Sequence, residues 1–225
     1  MRKLVVTLIV LAVLLAIADR VAVAGVQREI AKQVAAKYDL TTPPTVEIKG
    51  IPFLTQALLG RYDEIAVAIG PMTVEDVKLS KIDATLTGVT APLGDLIQDP
   101  SKTDIRAENV TGAVVIPWET IADRAPNGIK IDGAGDAVRV SGTIKALGRS
   151  VPVTADMKIA VVSGAVRLTP VGVKVAGGLS VPNPERFISF TVPVKDLPLG
   201  LKITGVKTTP VGLAVEGSAS DVPLR

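Results

Sequence analysis

"GIPFLTQALLGRYDEIAVAI", residues Gly50 to Ile69, opens as a glycine-bracketed loop, carries a run of large apolar residues and closes as a strict alternation. Surface connections are normally polar because their backbone groups must reach water, so Phe53, Leu54, Leu58 and Leu59 need something apolar to sit against. The protein's own core would serve, and so would a lipid. Further on, Ile65, Val67 and Ile69 alternate with Glu64, Ala66 and Ala68, the period of a half-buried strand. The stretch therefore reads as an apolar turn into a strand, set by Gly50 and Pro52 and released by Gly60.

The same period of two recurs down the chain. Ile82, Ala84 and Leu86 alternate with Asp83, Thr85 and Thr87, and Val151, Val153, Ala155, Met157, Ile159 and Val161 keep the pattern over eleven residues. Turn signals at Gly133-Ala134-Gly135, Ser163-Gly164, Gly177-Gly178 and Val181 to Glu185 separate such runs, which predicts a meander of about ten antiparallel strands. "RLTPVGVKV" (Arg167 to Val175) is echoed by "KTTPVGLAV" (Lys207 to Val215), which reads as a similar turn in two hairpins, because two copies do not make a solenoid. One short helix is expected in this half, "PWETIADRA" from Pro117 to Ala125, with Trp118, Ile121 and Ala122 on one face.

Toward the N-terminus the period lengthens. Val26, Ile30, Val34 and Tyr38 fall four apart, while Arg28, Glu29, Lys32 and Lys37 turn away, as in an amphipathic helix that "TTPP" stops at Thr41 to Pro44. Before it, Met1-Arg2-Lys3 precedes fifteen uncharged residues, Leu4 to Ala18, the layout of a positive n-region and an apolar h-region. Fifteen helical residues span roughly 22 Å, short of the ~30 Å hydrocarbon core, and extension to Ala24 makes up the length only if Asp19 and Arg20 sit at the far headgroup level. Ala16-Ile17-Ala18 and Ala22-Val23-Ala24 offer cleavage sites. Residues 1–24 are thus a signal peptide or a signal anchor, and 25–225 a single domain. Arg2 and Lys3 orient that domain to the extracytoplasmic side in either case.

Composition narrows the chemistry. Of the 225 residues 48% are hydrophobic, mostly Val, Ala, Leu and Ile, and only Tyr38, Phe53, Tyr62, Trp118, Phe187 and Phe190 are aromatic. The chain has neither Cys nor His, so thiol nucleophiles, His-based triads, ordinary zinc sites and disulfides are excluded. No cofactor or metal is expected. Its net charge of +3 resides largely in the first 24 residues, which leaves a nearly neutral body and no expectation of a nucleic-acid partner. Asp132 and Asp136 flank "GAG" but lack the alternating oxygen ligands of a calcium loop, and Val138 stands where a dinucleotide fingerprint needs its third Gly. No catalytic constellation assembles. An aliphatic groove between a curved sheet and the helix suits acyl chains instead, at about 0.8 kcal/mol for each buried CH₂.

"PTVEIKGIPFLTQALLGRYDEIAV" (Pro44 to Val67) resembles the signature of the actinobacterial LmeA-like phospholipid-binding family, in which an apolar "G-x-PFLTQ" turn joins the first two strands and "G-x-Y" follows. "LPLGLKITGVKTTPVGLAVEGSASDVPL" (Leu197 to Leu224) is similar to that family's closing hairpin, and the pair Asp19-Arg20 after the leader also fits. The resemblance implies an α+β fold of the tubular lipid-binding (TULIP) type: a strongly curved antiparallel sheet wrapped around the long N-terminal helix, plus one short helix. It further implies a place in the cell envelope, at the outer face of the cytoplasmic membrane, and a phospholipid such as phosphatidylinositol bound in an apolar cavity. Lipoglycan assembly is the process it points to. The residues expected to contact lipid are Val26, Ile30 and Val34 on the helix, Phe53, Leu54, Leu58, Leu59 and Tyr62 around the opening stretch, and Trp118, Ile121, Phe187 and Phe190 farther on. A non-enzymatic scaffold for a biosynthetic partner is the alternative reading, and an envelope enzyme a third.

Overall fold

Nothing interrupts helix formation from Arg2 to Lys37: the segment has no proline and one glycine, Gly25, and is built mainly of Ala, Leu and Val. The computed structural model makes it one continuous helix, α1 (Arg2–Lys37). It ends with basic Lys37 in the last turn and Asp39 in the left-handed region, so that the Leu40 amide bonds the Ala35 carbonyl ahead of Pro43 and Pro44. The structure describes residues 2–74, 77–92, 104–126, 128–134, 137–146, 149–162, 164–176, 183, 186, 188–193 and 200–224.

The remaining described elements are β1 (Thr45–Lys49), α2 (Phe53–Leu59), β2 (Arg61–Ile69), β3 (Met72–Val74), β4 (Val77–Leu79), β5 (Lys81–Thr90), β6 (Arg106–Pro117), α3 (Trp118–Ala122), β7 (Ile129–Ala134), β8 (Ala137–Ala146), β9 (Arg149–Val162), β10 (Ala165–Val175), β11 (Phe190–Pro193), β12 (Lys202–Thr209) and β13 (Gly212–Pro223). The fold is α+β and its sheets are antiparallel wherever the pairing is resolved. Thirteen strands are described where the alternation led to about ten. The extra ones include the β3–β4 hairpin, whose three-residue strands are too short to show a period.

The chain forms two compact units, residues 1–70, 83–111 and 219–225 in one and 71–82 and 112–218 in the other, and β5, β6 and β13 contribute residues to both. In the first unit the strands run in the order β1-β2-β5-β6-β13. β1 and β2 pair from Thr45↔Ala68 to Lys49↔Glu64, and the Glu64 carboxylate, 2.6 Å from the Lys49 ammonium, holds that ammonium above its usual pKa. Arg106 reaches Asp221 at 2.8 Å across the other edge. α1 packs on β1 and α2, and its buried residues are Asp19, Val23 and Ala31. The buried stripe is therefore rotated from the one expected: Val26 is exposed, and Ile30 and Val34 are half-buried. Close approach of a helix to a strand favours a small side chain such as Ala31 at the line of contact, with the larger residues flanking it.

In the second unit five strands follow the order β11-β10-β9-β8-β7, with registers such as Val140↔Ala155 and Leu168↔Ile159. The long alternation holds over its first seven residues: Val151, Val153, Ala155 and Met157 are buried and the intervening residues exposed, whereas Ile159 is half-buried and Val161, expected on the same inner face, is exposed near the end of β9. They share a core with Val138, Val140, Val166, Leu168, Ile116, Ile121, Leu213 and Val215. The two echoed segments differ in structure. Lys207–Val215 holds the β12–β13 hairpin turn, whereas Arg167–Val175 lies within β10, with a register shift at Val171/Lys174 and Gly172 at φ 64°. A left-handed glycine inside a strand makes a bulge in β10, whereas the same "TPVG" letters form the turn between β12 and β13.

Gly60 is one of the glycines least open to change. It closes α2 at φ 64°, and an added Cβ would lie 2.8 Å from Pro92 Cα, while its carbonyl accepts the Ala91 amide at 2.8 Å. Gly60→Ala is expected to lower stability by about 1–3 kcal/mol through left-handed strain and overpacking, read as a lower thermal midpoint in detergent. Gly25→Ala, with nothing within 4 Å and a helical setting, is expected to leave that midpoint unchanged or raise it.

Candidate functional site

The stretch expected to be an apolar turn is a helix. Pro52 stands at the N-cap of α2 in an extended conformation, Phe53 and Gln56 at i, i+3 face inward, and Gly60 ends the helix in the left-handed region with its amide on the Ala57 and Gln56 carbonyls. Seven residues give too few turns for a helical period to show in the sequence.

No side chain of α2's own N-cap bonds its first amides. Asp19 of α1, 35 positions earlier, does so: its Oδ1 accepts the Leu54 amide at 2.7 Å. Arg20 holds Oδ2 through Nε at 3.1 Å and through Nη2. The carboxylate, 4% exposed, is thus both hydrogen-bonded and charge-paired. Gln56 secures the other side. Its Nε2 donates to the Lys49 carbonyl at 3.1 Å and its Oε1 accepts the Asp63 amide at 2.9 Å, which ties α2 to the ends of β1 and β2. Phe53 lies beneath, its ring centroid 6.1 Å from that of Tyr62, whose phenol burial pushes above its usual pKa.

With its inner face so occupied, α2 turns the rest of its apolar residues out. Leu58 is 80% exposed, Leu59 70% and Ile51, just ahead of the helix, 82%; Leu54 is also exposed. Every large apolar residue of α1 from Leu4 to Ile17 is more than half exposed as well. Among the described residues α1 is the one helix long and apolar enough to cross a membrane.

A second feature lies within the other unit, a cleft of about 420 Å³ lined by Val138, Met157 and Ile159 of β8 and β9 and by Val206, Lys207 and Thr208 of β12. Its volume is at the lower end of the range for small-molecule sites, roughly 300–1,000 Å³. Four of the six lining residues are apolar, of which Val138 and Met157 are buried, and more of the exposed lining is polar than apolar. Lys207 is 2.6 Å from Glu216, so a paired and exposed cation stands at the cleft. Among the described residues no cluster of His, Cys, Asp and Glu could hold a metal ion.

The residues singled out in the sequence are spread over both features and beyond them. Phe53, Leu54, Leu58, Leu59 and Tyr62 come together around α2; Val26 is exposed and Ile30 and Val34 half-buried on α1. Ile121 is fully buried in the core of the second unit, with Trp118 and Phe190 packed against that core; Trp118 Nε1 is buried without a hydrogen-bond partner. Phe187 lies outside the described residues. None of them lines the cleft. Met157 and Ile159 were legible as strand residues, but no sequence signal separates a side chain that lines a cleft from one that fills a core.

The family model described as LmeA-like phospholipid-binding matches residues 17–218, which takes in Asp19, α2 and the whole cleft. The chain belongs to this LmeA-like phospholipid-binding family. No curated protein matches it, and no solved structure does. The match opens just ahead of Asp19, so the family segment includes the carboxylate that caps α2 and leaves out most of the apolar run before it.

Two outcomes are expected for this family member's α2. Asp19→Ala should raise hydrogen exchange at Leu54 and through α2 on the order of tenfold, by loosening the first turn while the sheets stay protected. Gln56→Ala should cost about 1–2 kcal/mol in chemical denaturation, since it removes two part-buried hydrogen bonds, to the Lys49 carbonyl and from the Asp63 amide.

Proposed function

We propose that this chain binds phospholipid, with phosphatidylinositol as one candidate, on the extracytoplasmic side of the cytoplasmic membrane, and that it serves lipid or lipoglycan assembly in an actinobacterial cell envelope. Residues 1–24 act as the signal or its retained anchor, and residues 25–225 act together as one lipid-binding domain. The observation that carries the reading is the match to a phospholipid-binding family over residues 17–218, which takes in the cleft of β8, β9 and β12 with its apolar and cationic lining residues.

An acyl chain gains about 0.8 kcal/mol for each CH₂ it buries, so each methylene seated against Ile159 and Val206 adds to binding before ordering costs. Lys207 and Thr208 supply a cation and a hydroxyl for the phosphate. The Lys207–Glu216 pair is solvent-exposed and is lost at little cost when a phosphate competes for the ammonium. Binding, not catalysis, is the proposed activity, because the chain has no His or Cys and its acidic residues bring no activated partner into the cleft.

The test is lipid loading by the full chain. Val206→Glu puts a carboxylate among the apolar walls and is expected to lower co-purified phospholipid at least about tenfold, since burying that charge costs more than a chain segment returns. Lys158→Glu introduces a carboxylate on the exposed face of β9 and is expected to load as the parent protein does. Equal loading in all three, with circular dichroism unchanged, would remove the cleft from the account.

Attachment is expected to be apolar. The full chain should stay with membranes through a high-salt wash, which screens ionic contacts, and leave them only in detergent. Intact-mass measurement of the protein from its native host then reads the leader directly: a species that begins at Met1 is expected, and one that begins at Asp19 or Gly25 would mean a released carrier.

A further inference from the structure

α1 carries fifteen uncharged residues, Leu4 to Ala18, ahead of Asp19, and all of them are exposed among the described residues. At about 1.5 Å per residue they cover roughly 22 Å of a hydrocarbon core of ~30 Å, so the residues that follow are drawn down to the membrane surface. Asp19 is the first of them, and it holds the N-terminus of α2. The same short helix, pinned on its other side by Gln56, shows solvent Ile51, Leu58 and Leu59 at 70–82% exposure, with Val21 of α1 exposed two residues past Asp19. A rigidly held apolar patch at the point where an apolar helix leaves the bilayer has lipid as its neighbour.

We propose that α2 is a foot seated in the headgroup and upper acyl zone of the bilayer that α1 crosses, with Ile51, Leu58 and Leu59 immersed. This rests on reading α1 as the anchor, and it adds a second point of attachment that fixes the orientation of β1 and β2 above the surface, because one helix alone leaves rotation about its axis free. The chemistry is that of an interfacial amphipathic segment: Phe53 and Gln56 face the protein, leucines face lipid, and the guanidinium of Arg20, held by Asp19, lies at phosphate level.

Because the chain has no cysteine, single sites take a fluorescent label cleanly. The full chain is reconstituted in vesicles of phosphatidylcholine and phosphatidylglycerol, carrying an environment-sensitive dye at Leu58→Cys, Leu59→Cys, Leu14→Cys or Glu47→Cys, with quenchers placed at shallow or deep acyl positions. Glu47 is exposed on β1 and Leu14 lies in the apolar run. Labels at 58 and 59 are expected to be quenched several-fold more by shallow than by deep quencher, the label at 14 by deep quencher, and the label at 47 by neither. Quenching at 14 without quenching at 58 and 59 overturns the foot and leaves the anchor intact. Quenching at 58 and 59 without quenching at 14 upholds the foot and overturns the anchor. Labels at 58 and 59 that ignore lipid quencher and shift their emission as protein density in the membrane rises mark a second copy on the patch, and overturn the proposal.

Discussion

One carboxylate sets the geometry of the first unit. Asp19 is nearly buried, although charged, because the Leu54 amide and the Arg20 guanidinium replace the water it loses. Without that acceptor α2 would begin with unsatisfied amides on a seven-residue helix that has no capping side chain of its own. Once it is in place, Gln56 can reach both strand ends, Phe53 can lie on Tyr62, and Gly60 can turn the chain back into β2. The apolar remainder of α2 faces outward as a consequence.

This resolves the oddity of a greasy connection between two polar-faced strands. Phe53 and Gln56 of "PFLTQ" serve the fold, and the leucines at 54, 58 and 59 are left over for solvent or lipid. The cleft belongs to other elements, β8, β9 and β12, where Val, Met and Ile meet a paired lysine. On the proposed reading, chain anchorage and ligand holding draw on different residues, and a substitution at one is free to spare the other.

Much of this was legible in the letters, and the misses have physical causes. The period of two located β5 and β9, because a half-buried strand must alternate. α2 was hidden by its length, and the echoed "TPVG" segments by the fact that a bulge and a hairpin turn use the same residues. On α1 hydrophobicity pointed to Val26, Ile30 and Val34, whereas packing chose Val23 and Ala31, since the distance to β1 is set by the smallest side chain on the line of contact. Asp19 was noticed as part of a pair after the leader, but a cap supplied from 35 residues away has no local signature. The cleft was invisible for a related reason: Val206 and Met157 look like any other core residues until the strands that bear them are placed.

The central claim is that a phospholipid occupies this protein. Native mass spectrometry of the detergent-purified full chain, with the detergent stripped in the gas phase, tests it most directly. The account predicts a resolved species heavier than the polypeptide by the mass of one phospholipid, lost on collisional activation and identified by fragmentation of the released lipid. A spectrum that holds only the bare polypeptide, both from native membranes and after incubation with phosphatidylinositol, would contradict it.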